Sequence, residues 1–171
     1  PLFAWQLTTG ALNTGDTLSV SLARNAGENV GSYSIYQNGY TLTNASLYNI
    51  SFVNGSFTIT PALLTITALD QSKTYGDADP ALTYAITSGS LKFSDALSGG
   101  IVRAAGEDVG NYAITQGTLS AGSNYTLTFV DGNLEINPAL LTVTADSFTK
   151  TYGDADPALT YAITSGSLKF S

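Results

Sequence analysis

The feature that most constrains the fold of this chain is an internal repeat with a spacing of 77 residues. The stretch TYGDADPALTYAITSGSLKFS occupies residues 74–94 and recurs without a substitution at residues 151–171. Weaker matches pair GENVGSYSI (27–35) with GEDVGNYAI (106–114), and FVNGSFTITPA (52–62) with FVDGNLEINPA (129–139). A period of this length predicts tandem copies of one small β-rich domain.

The matches divide the 171 residues into three copies of unequal length. Residues 1–61 form the first copy, a partial β module without a counterpart of the first strand. Residues 62–138 form the middle copy, which is the complete module. Residues 139–171 form the third copy, the N-terminal portion of a further module. We expect flanking residues of a longer polypeptide to complete both ends, in preference to strand addition between molecules, because residues 157–171 correspond to residues 1–15 and both cannot occupy one slot.

Alternation of apolar and polar residues dominates the middle copy and indicates half-buried strands. The pattern predicts about seven short strands, the clearest of which cover residues 64–68, 82–87, 112–115, 125–129 and 134–137. Asp131-Gly132 separates two alternating runs, so a β-hairpin is predicted there, with Asn54-Gly55 at the same place in the first copy.

Two all-β architectures are compatible with this pattern. The motif D-x-G-x-Y at Asp108, Gly110 and Tyr112 is typical of immunoglobulin-like β-sandwiches, in which the tyrosine hydroxyl binds nearby backbone. We therefore expect a linear array of small sandwich modules. The alternative is a β-grasp-like module in which residues 91–97 form one short helix.

Composition excludes several classes of function. There are 6 Lys and Arg residues against 13 Asp and Glu residues, which gives a net charge of -7 and disfavours nucleic acid and anionic membrane surfaces as partners. The chain has neither Cys nor His, so zinc fingers, cysteine nucleophiles and Ser-His-Asp triads are excluded. We expect no enzymatic activity and no catalytic residue, and no run of apolar residues is long enough to insert into a membrane.

One candidate metal site involves aspartates beside the repeated Tyr-Gly-Asp motif. Asp77 and Asp79, and their copies Asp154 and Asp156, could bind a structural Ca²⁺, with Asp95 or Asp108 as a third ligand. The competing interpretation is a turn in which these side chains bind local backbone. We therefore expect no metal site here, and calcium binding by these aspartates is the weaker hypothesis.

Two further groups of side chains have alternative interpretations. Lys73 and Lys150 follow first strands and could form an isopeptide crosslink, but an exposed lysine that protects an edge strand is the preferred interpretation. A cluster of tyrosines in the first copy could offer an aromatic patch to a glycan or protein: Tyr33, Tyr36, Tyr40 and Tyr48.

The order of motifs resembles a known bacterial repeat. Tyr75-Gly76-Asp77, Gly110 to Ile114, Asn124 to Ala139 and Leu141 to Ala145 are similar to the MBG/YDG-type repeat modules of large surface adhesins, including filamentous-haemagglutinin-like exoproteins. The resemblance implies a secreted, surface-displayed β array and no catalytic residues.

The expected function follows from the repeat and the resemblance together. We expect a structural stalk or spacer section of a long extracellular bacterial protein, whose partners are neighbouring modules or head-to-tail copies. The alternative is an adhesive module that binds a glycan or a protein. Residues 136–142 join two modules without a Gly/Ser linker and contain Pro138, so we expect stiff junctions.

Overall fold

β-Strands are almost the only regular secondary structure in the computed structural model of this protein, which describes residues 4–169. Two compact units divide the chain, at residues 1–62 and 63–171. The strands are β1 (Leu18–Arg24), β2 (Gly31–Leu42), β3 (Gly55–Ile59), β4 (Ala62–Ala68), β5 (Gln71–Thr74), β6 (Tyr84–Ser88), β7 (Val102–Arg103), β8 (Gly110–Thr115), β9 (Tyr125–Val130), β10 (Gly132–Asn137), β11 (Thr142–Ala145) and β12 (Tyr161–Ser165). The only helical element among the described residues is a single 3₁₀ turn at Ala45–Leu47.

The middle copy contains seven strands, the number expected from the alternation, and they form two sheets. One sheet has the order β6-β4-β9, with β4 in the centre. The other has the order β5-β10-β8-β7, in which β5 and β10 are parallel while β8 is antiparallel to both of its neighbours. The expectation of an all-β fold is confirmed.

The two sheets of the middle copy share one core. Ala68 of β4 packs with Ile114 of β8 and Leu134 of β10, and all three are buried. Leu82, Ile101, Tyr112 and Phe129 pack around them. Leu64 and Ile66 of β4 are also buried, so the alternate residues of this one strand supply the inner face of its sheet.

The predicted hairpin at Asp131-Gly132 is wrong. Strand β9 ends one residue before Asp131 and β10 begins one residue after it, but the two strands belong to different sheets. The chain turns a corner of the sandwich here instead of folding back on itself. Gly132 allows this because a Cβ atom at that position would press against the backbone and side chain of Ala68.

The β-grasp alternative is also wrong, because residues 91–97 form no helix. They form an open loop with a turn in which the Asp95 N–H donates to the Lys92 carbonyl at 3.0 Å. Phe93 adopts a φ of 51° in that turn, outside the helical region.

The tyrosine corner predicted from D-x-G-x-Y is present in two copies. The Tyr112 hydroxyl donates to the Asp108 carbonyl at 2.8 Å, and the Tyr33 hydroxyl donates to the Asn29 carbonyl at 2.7 Å. Two strands follow Tyr112, one in each sheet, whereas the standard immunoglobulin pattern has one.

The first copy forms only one of the two sheets. Strands β1, β2 and β3 correspond to β7, β8 and β10, and they form a three-stranded antiparallel sheet in that order. Residues 4–12 and 48–54 correspond to β6 and β9 but are in no strand. Their sheet needs a central strand like β4, and these 61 residues contain no counterpart of it.

The third copy forms two strands of the sheet that the first copy lacks. Strands β11 and β12 pair antiparallel with the same register and the same bulge as β4 and β6. Leu141 is 39% exposed where its counterpart Leu64 is 1% exposed, and Val143 is 53% exposed where Ile66 is 0% exposed. An apolar strand of the core type is therefore exposed in the third copy.

Candidate functional site

Four charged side chains meet at one edge of the middle copy and form a cluster, referred to below as the charge cluster. Lys73 Nζ lies 2.7 Å from Asp79 Oδ1 and 2.5 Å from Glu107 Oε2. Arg103 joins the same two carboxylates, with Nε 2.6 Å from Asp79 Oδ2 and Nη2 2.5 Å from Glu107 Oε1. Each cation therefore bridges both anions.

The two cations of the charge cluster are far more buried than the carboxylates that they bind. The Lys73 side chain is 4% exposed, although β5 is an edge strand. The interpretation of Lys73 as an exposed lysine on an edge strand is wrong, because the side chain turns inward to the two carboxylates. A buried cation is tolerated here because its hydrogen bonds to both anions offset the lost hydration.

The charge cluster shifts the pKa of each member towards the charged form. Hydrogen bonds from Arg103 and then Lys73 lower the pKa of Asp79, and hydrogen bonds from Lys73 and then Arg103 lower the pKa of Glu107. Hydrogen bonds to Asp79 and then Glu107 raise the pKa of Lys73. All four groups are thus charged at neutral pH.

The Tyr-Gly-Asp motif places Asp79 in the charge cluster. Tyr75 N–H extends the β5–β10 ladder by donating to the Asn137 carbonyl, and the Asp77 N–H then closes a turn on the Thr74 carbonyl at 3.0 Å. Gly76 provides the φ of 87° that this turn requires. The turn reverses the chain, so Asp79 returns to the lysine six residues before it.

A second set of contacts holds Arg103 in place. Its Nη1 donates to the carbonyls of Ala104 and Gly106, and its guanidinium carbon lies 5.5 Å from the centre of the Tyr112 ring. A Cβ atom at Gly106 would overlap that ring, so glycine is required beside the tyrosine corner. The charge cluster and the corner therefore form one connected structure.

The first and third copies each contain one half of the charge cluster. Arg24 and Glu28, the counterparts of Arg103 and Glu107, pair at 2.5 Å in the first copy, and Arg24 lies over the rings of Tyr33 and Phe57. Lys150 and Asp156, the counterparts of Lys73 and Asp79, pair at 2.5 Å in the third copy. The Lys150 side chain is 46% exposed there.

An apolar cleft of about 550 Å³ opens in the first unit. Its walls come from the inner faces of β1 and β2 and from residues 4–12 and 48–53, and they include Leu22, Ile35 and Phe52. These three residues are the counterparts of Ile101, Ile114 and Phe129, which surround Ala68 of β4 in the middle copy. The cleft therefore lies where the middle copy places its first strand.

The structure separates the aspartates that were considered as calcium ligands. Asp79 and Asp156 bind lysine, and Asp95 accepts a hydrogen bond from Tyr125 at 2.8 Å. The backbone N–H groups of Asp77 and Asp154 close equivalent turns. No group of three or more metal-binding side chains occurs within residues 4–169, and calcium binding stays a prediction.

The two remaining sequence hypotheses concern the lysines and the tyrosines. Lys73 contacts Asp79 and Glu107, and Lys150 contacts Asp156, which is an ion-pair arrangement in both copies. The tyrosine cluster is divided: Tyr33 and Tyr48 bind Asn29 and Asp16 through their hydroxyls. Tyr36 and Tyr40 are exposed, and the Tyr40 ring lies 5.3 Å from that of Phe52.

The model of one protein family matches the chain three times in tandem. It is described as the MBG domain (YGX type), and the matches cover residues 1–58, 64–135 and 141–169. The chain belongs to the MBG domain (YGX type) family. MBG domains are typical of extracellular surface proteins, and the three matches agree with tandem repeat modules. No match was found among curated proteins or among solved structures.

Within residues 4–169, no helix of this MBG chain is long and apolar enough to cross a membrane.

The charge cluster was not apparent from the local sequence pattern. Sequence reasoning missed the charge cluster because its members are up to 34 residues apart. The available signal was their distribution over the copies, with Arg and Glu four residues apart in two copies and Lys and Asp six apart in two.

Proposed function

We propose that this chain is part of the structural stalk of a secreted bacterial surface protein. Its tandem MBG domains would act as a spacer outside the cell, without enzymatic activity and without a cofactor. The observation that carries the proposal is the identity of residues 74–94 and 151–171 within repeated copies. Repeating one domain without variation lengthens a protein, whereas a binding function requires only one copy with a suitable surface.

The contacts of the middle copy support a role in bearing load. Strand β4 is the central strand of its sheet and its inner side chains are buried, so extracting it would break two ladders and open the core. The charge cluster ties the edge strand β5 to the loops around Arg103 and Glu107. Strand β10, at the other end of the copy, lies between β5 and β8, so both ends of the copy are fastened to its body.

Small-angle X-ray scattering of chains with two to five tandem copies tests the stalk. The maximum dimension should rise linearly with copy number, by about 20–25 Å per copy if the seven-residue strand β4 runs along the axis. Growth with about the square root of copy number would indicate freely hinged domains and would contradict the proposal.

A second candidate function is adhesion through the first copy. The exposed rings of Tyr36, Tyr40 and Phe52 favour it, since aromatic faces are common in glycan and protein binding. A glycan array and a cell-binding assay separate the two candidates. A spacer should bind no glycan, and binding that is lost in Tyr40→Ala would support adhesion.

A further inference from the structure

The middle and third copies belong to one compact unit and touch at the turn of the Tyr-Gly-Asp motif. A Cβ atom added at Gly76 would lie 2.5 Å from Cγ, 2.6 Å from Cδ and 3.0 Å from Cβ of Lys169. Lysine commonly lays its aliphatic stem along a surface while its ammonium group stays in water. The stem of Lys169 therefore covers the bare backbone of Gly76, in the space that a side chain would fill.

The conformation of the turn does not by itself create this contact. Gly153 occupies the same turn in the third copy and has a φ of 98°, close to the 87° of Gly76. A Cβ atom at Gly153 would nevertheless meet nothing within 4 Å. The positive φ is thus a property of the turn, whereas the occupied space at Gly76 comes from the copy that follows it.

We propose that this pair sets the angle between neighbouring copies: a lysine at the position of Lys92 and Lys169 packs onto the Tyr-Gly-Asp glycine of the preceding copy. The pair is called the junction contact below. Its partner is a second MBG domain of the same polypeptide. The inference rests on the proposed stalk function and deepens it, because it names the surface through which successive copies of the stalk are joined.

The linker between the two copies is held on both sides. The Tyr75 N–H donates to the Asn137 carbonyl at 2.8 Å, so the turn of the middle copy lies beside the last residue of β10. On the other side, a Cβ atom at Gly166 would overlap the Leu140 carbonyl, so the loop after β12 lies against the start of the third copy. The junction contact joins that loop to that turn. It therefore gives the two copies a second point of attachment beside the linker itself.

The complete copy shows how the lysine is positioned. The Lys92 N–H donates to the Tyr125 hydroxyl at 2.6 Å, and the Lys92 carbonyl accepts from the Asp95 N–H at 3.0 Å. The Tyr125 hydroxyl donates in turn to Asp95 Oδ2 at 2.8 Å. Both backbone groups of Lys92 are bound, while the residue itself is exposed. A fixed backbone with an exposed side chain suits a residue that makes its contact outside its own copy.

The first copy repeats this network around a different residue. Asn13, the counterpart of Lys92, donates its N–H to the Tyr48 hydroxyl at 2.8 Å and accepts from the Asp16 N–H at 3.0 Å. The Tyr48 hydroxyl donates to Asp16 Oδ2. The network thus holds the position whichever residue occupies it. Asparagine has no aliphatic stem, so the junction contact requires a copy with lysine at this position.

The junction contact also accounts for the part of the repeat that is identical. Gly76 and Lys92 lie within residues 74–94, and Gly153 and Lys169 are their copies within residues 151–171. Each copy of the segment therefore supplies a glycine for the following domain and a lysine for the preceding one. Successive domains with the same segment have the same junction, and each adds the same angle to the array.

Disulfide trapping tests the position of the contact, since the chain has no cysteine of its own. The variant Gly76→Cys with Lys169→Cys should form a disulfide within one chain, because its two Cβ atoms lie close enough to be bridged. The matched control is Gly153→Cys with Lys169→Cys. It places a cysteine at the same positive φ but pairs two positions of one copy, and it should form no disulfide. Mass spectrometry of non-reduced peptides measures both.

Spin-label distances test the effect of the contact on the angle. Labels on Asp131→Cys and Ala158→Cys, at exposed sites of the middle and third copies, report the spread of distances between them. The distribution should be narrow in wild type and in Lys169→Met, which keeps an unbranched stem, and should broaden in Lys169→Gly. Lys92→Gly is the control, because it removes the corresponding lysine of the middle copy and should leave the distribution unchanged.

Two results would overturn the proposal. One is the absence of the disulfide between residues 76 and 169, or its appearance only between chains. The other is a distribution of equal width in wild type and Lys169→Gly. If both distributions are narrow, the linker with Pro138 is stiff without the contact and the stalk function stands. If both are broad, the copies are hinged, and the stalk function fails together with the junction contact.

Discussion

At the scale of single residues, the same side chains make the same short-range contacts in complete and incomplete copies. Tyr33 and Tyr112 both bind the carbonyl four residues before them, and Arg24 and Arg103 both bind the glutamate four residues after them. Contacts that span a longer stretch differ, because Lys73 reaches Glu107 whereas Lys150 reaches Asp156 and the Asp154 carbonyl. Contacts between residues that are close in sequence therefore form in complete and incomplete copies alike, whereas the lysine becomes buried only in the complete copy.

The tyrosine corner gives a prediction for the stability of the middle copy. Replacing Tyr112 with Phe removes the hydrogen bond to the Asp108 carbonyl and should lower the free energy of unfolding by about 1 kcal/mol. Replacing it with Ala also removes the ring from the core and should cost about 3 kcal/mol. Urea denaturation measures both, with Tyr84→Phe as a control at an exposed ring. Equal stability of wild type and Tyr112→Ala would refute the corner.

The charge cluster gives a prediction for pH dependence. The pKa values of Asp79 and Glu107 lie below their ordinary values of 3.8 and 4.5. The contribution of these carboxylates to the free energy of unfolding is therefore complete above their ordinary pKa values, and it is lost as the pH falls through their lowered pKa values. The pKa of Lys73 lies above its ordinary value of 10.5. Its contribution to the free energy of unfolding is therefore complete below pH 10.5 and is lost as the pH rises through the raised pKa.

The matching measurement is the free energy of unfolding over a pH series for wild type and Lys73→Met. The wild type should be the more stable on a plateau from about pH 5 to pH 10, and the difference should shrink at both ends. Lys92→Met is the control, since among residues 4–169 Lys92 Nζ binds only the Ser90 hydroxyl. A difference that is the same at pH 3 and pH 7 would show that the charge cluster does not contribute.

At the scale of strands, the alternation of residues was sufficient to locate the elements but not their partners. The patterns at 64–68, 112–115 and 134–137 fall within β4, β8 and β10. The error at Asp131-Gly132 has a physical reason, because a turn dipeptide between two strands suits both a hairpin and a corner between sheets. The close approach of Gly132 to Ala68 favours the corner over the hairpin. The two residues are 64 positions apart, so the local sequence does not show this contact.

The two copies of the first strand offer a matched pair of substitutions at this scale. Ile66→Ala removes a fully buried side chain and should lower the free energy of unfolding by about 3 kcal/mol. Val143→Ala, at the corresponding position of the third copy, should change the stability of the monomer by less than about 0.5 kcal/mol because Val143 is exposed. Calorimetry of dilute protein measures both, and equal effects would show that β11 is buried after all.

At the scale of the whole molecule, the repeat in the sequence was the most informative signal. It indicated tandem β domains, and the three matches to the MBG domain family agree with that. It did not reveal that the first strand of a copy is the central strand of a sheet, because strand order depends on pairing between distant residues. That central position explains why a copy without residues 61–79 has a cleft where the middle copy has a core.

The most direct test of this account compares two fragments of the middle copy, residues 62–138 and residues 69–138. The account predicts that the longer fragment unfolds in a single cooperative transition, as a two-sheet domain with its own core should. The shorter fragment lacks β4 and should show no cooperative transition, and a synthetic peptide of residues 61–68, which supplies only β4, should restore one. A cooperative transition of equal midpoint in both fragments would contradict the claim that the first strand closes each domain.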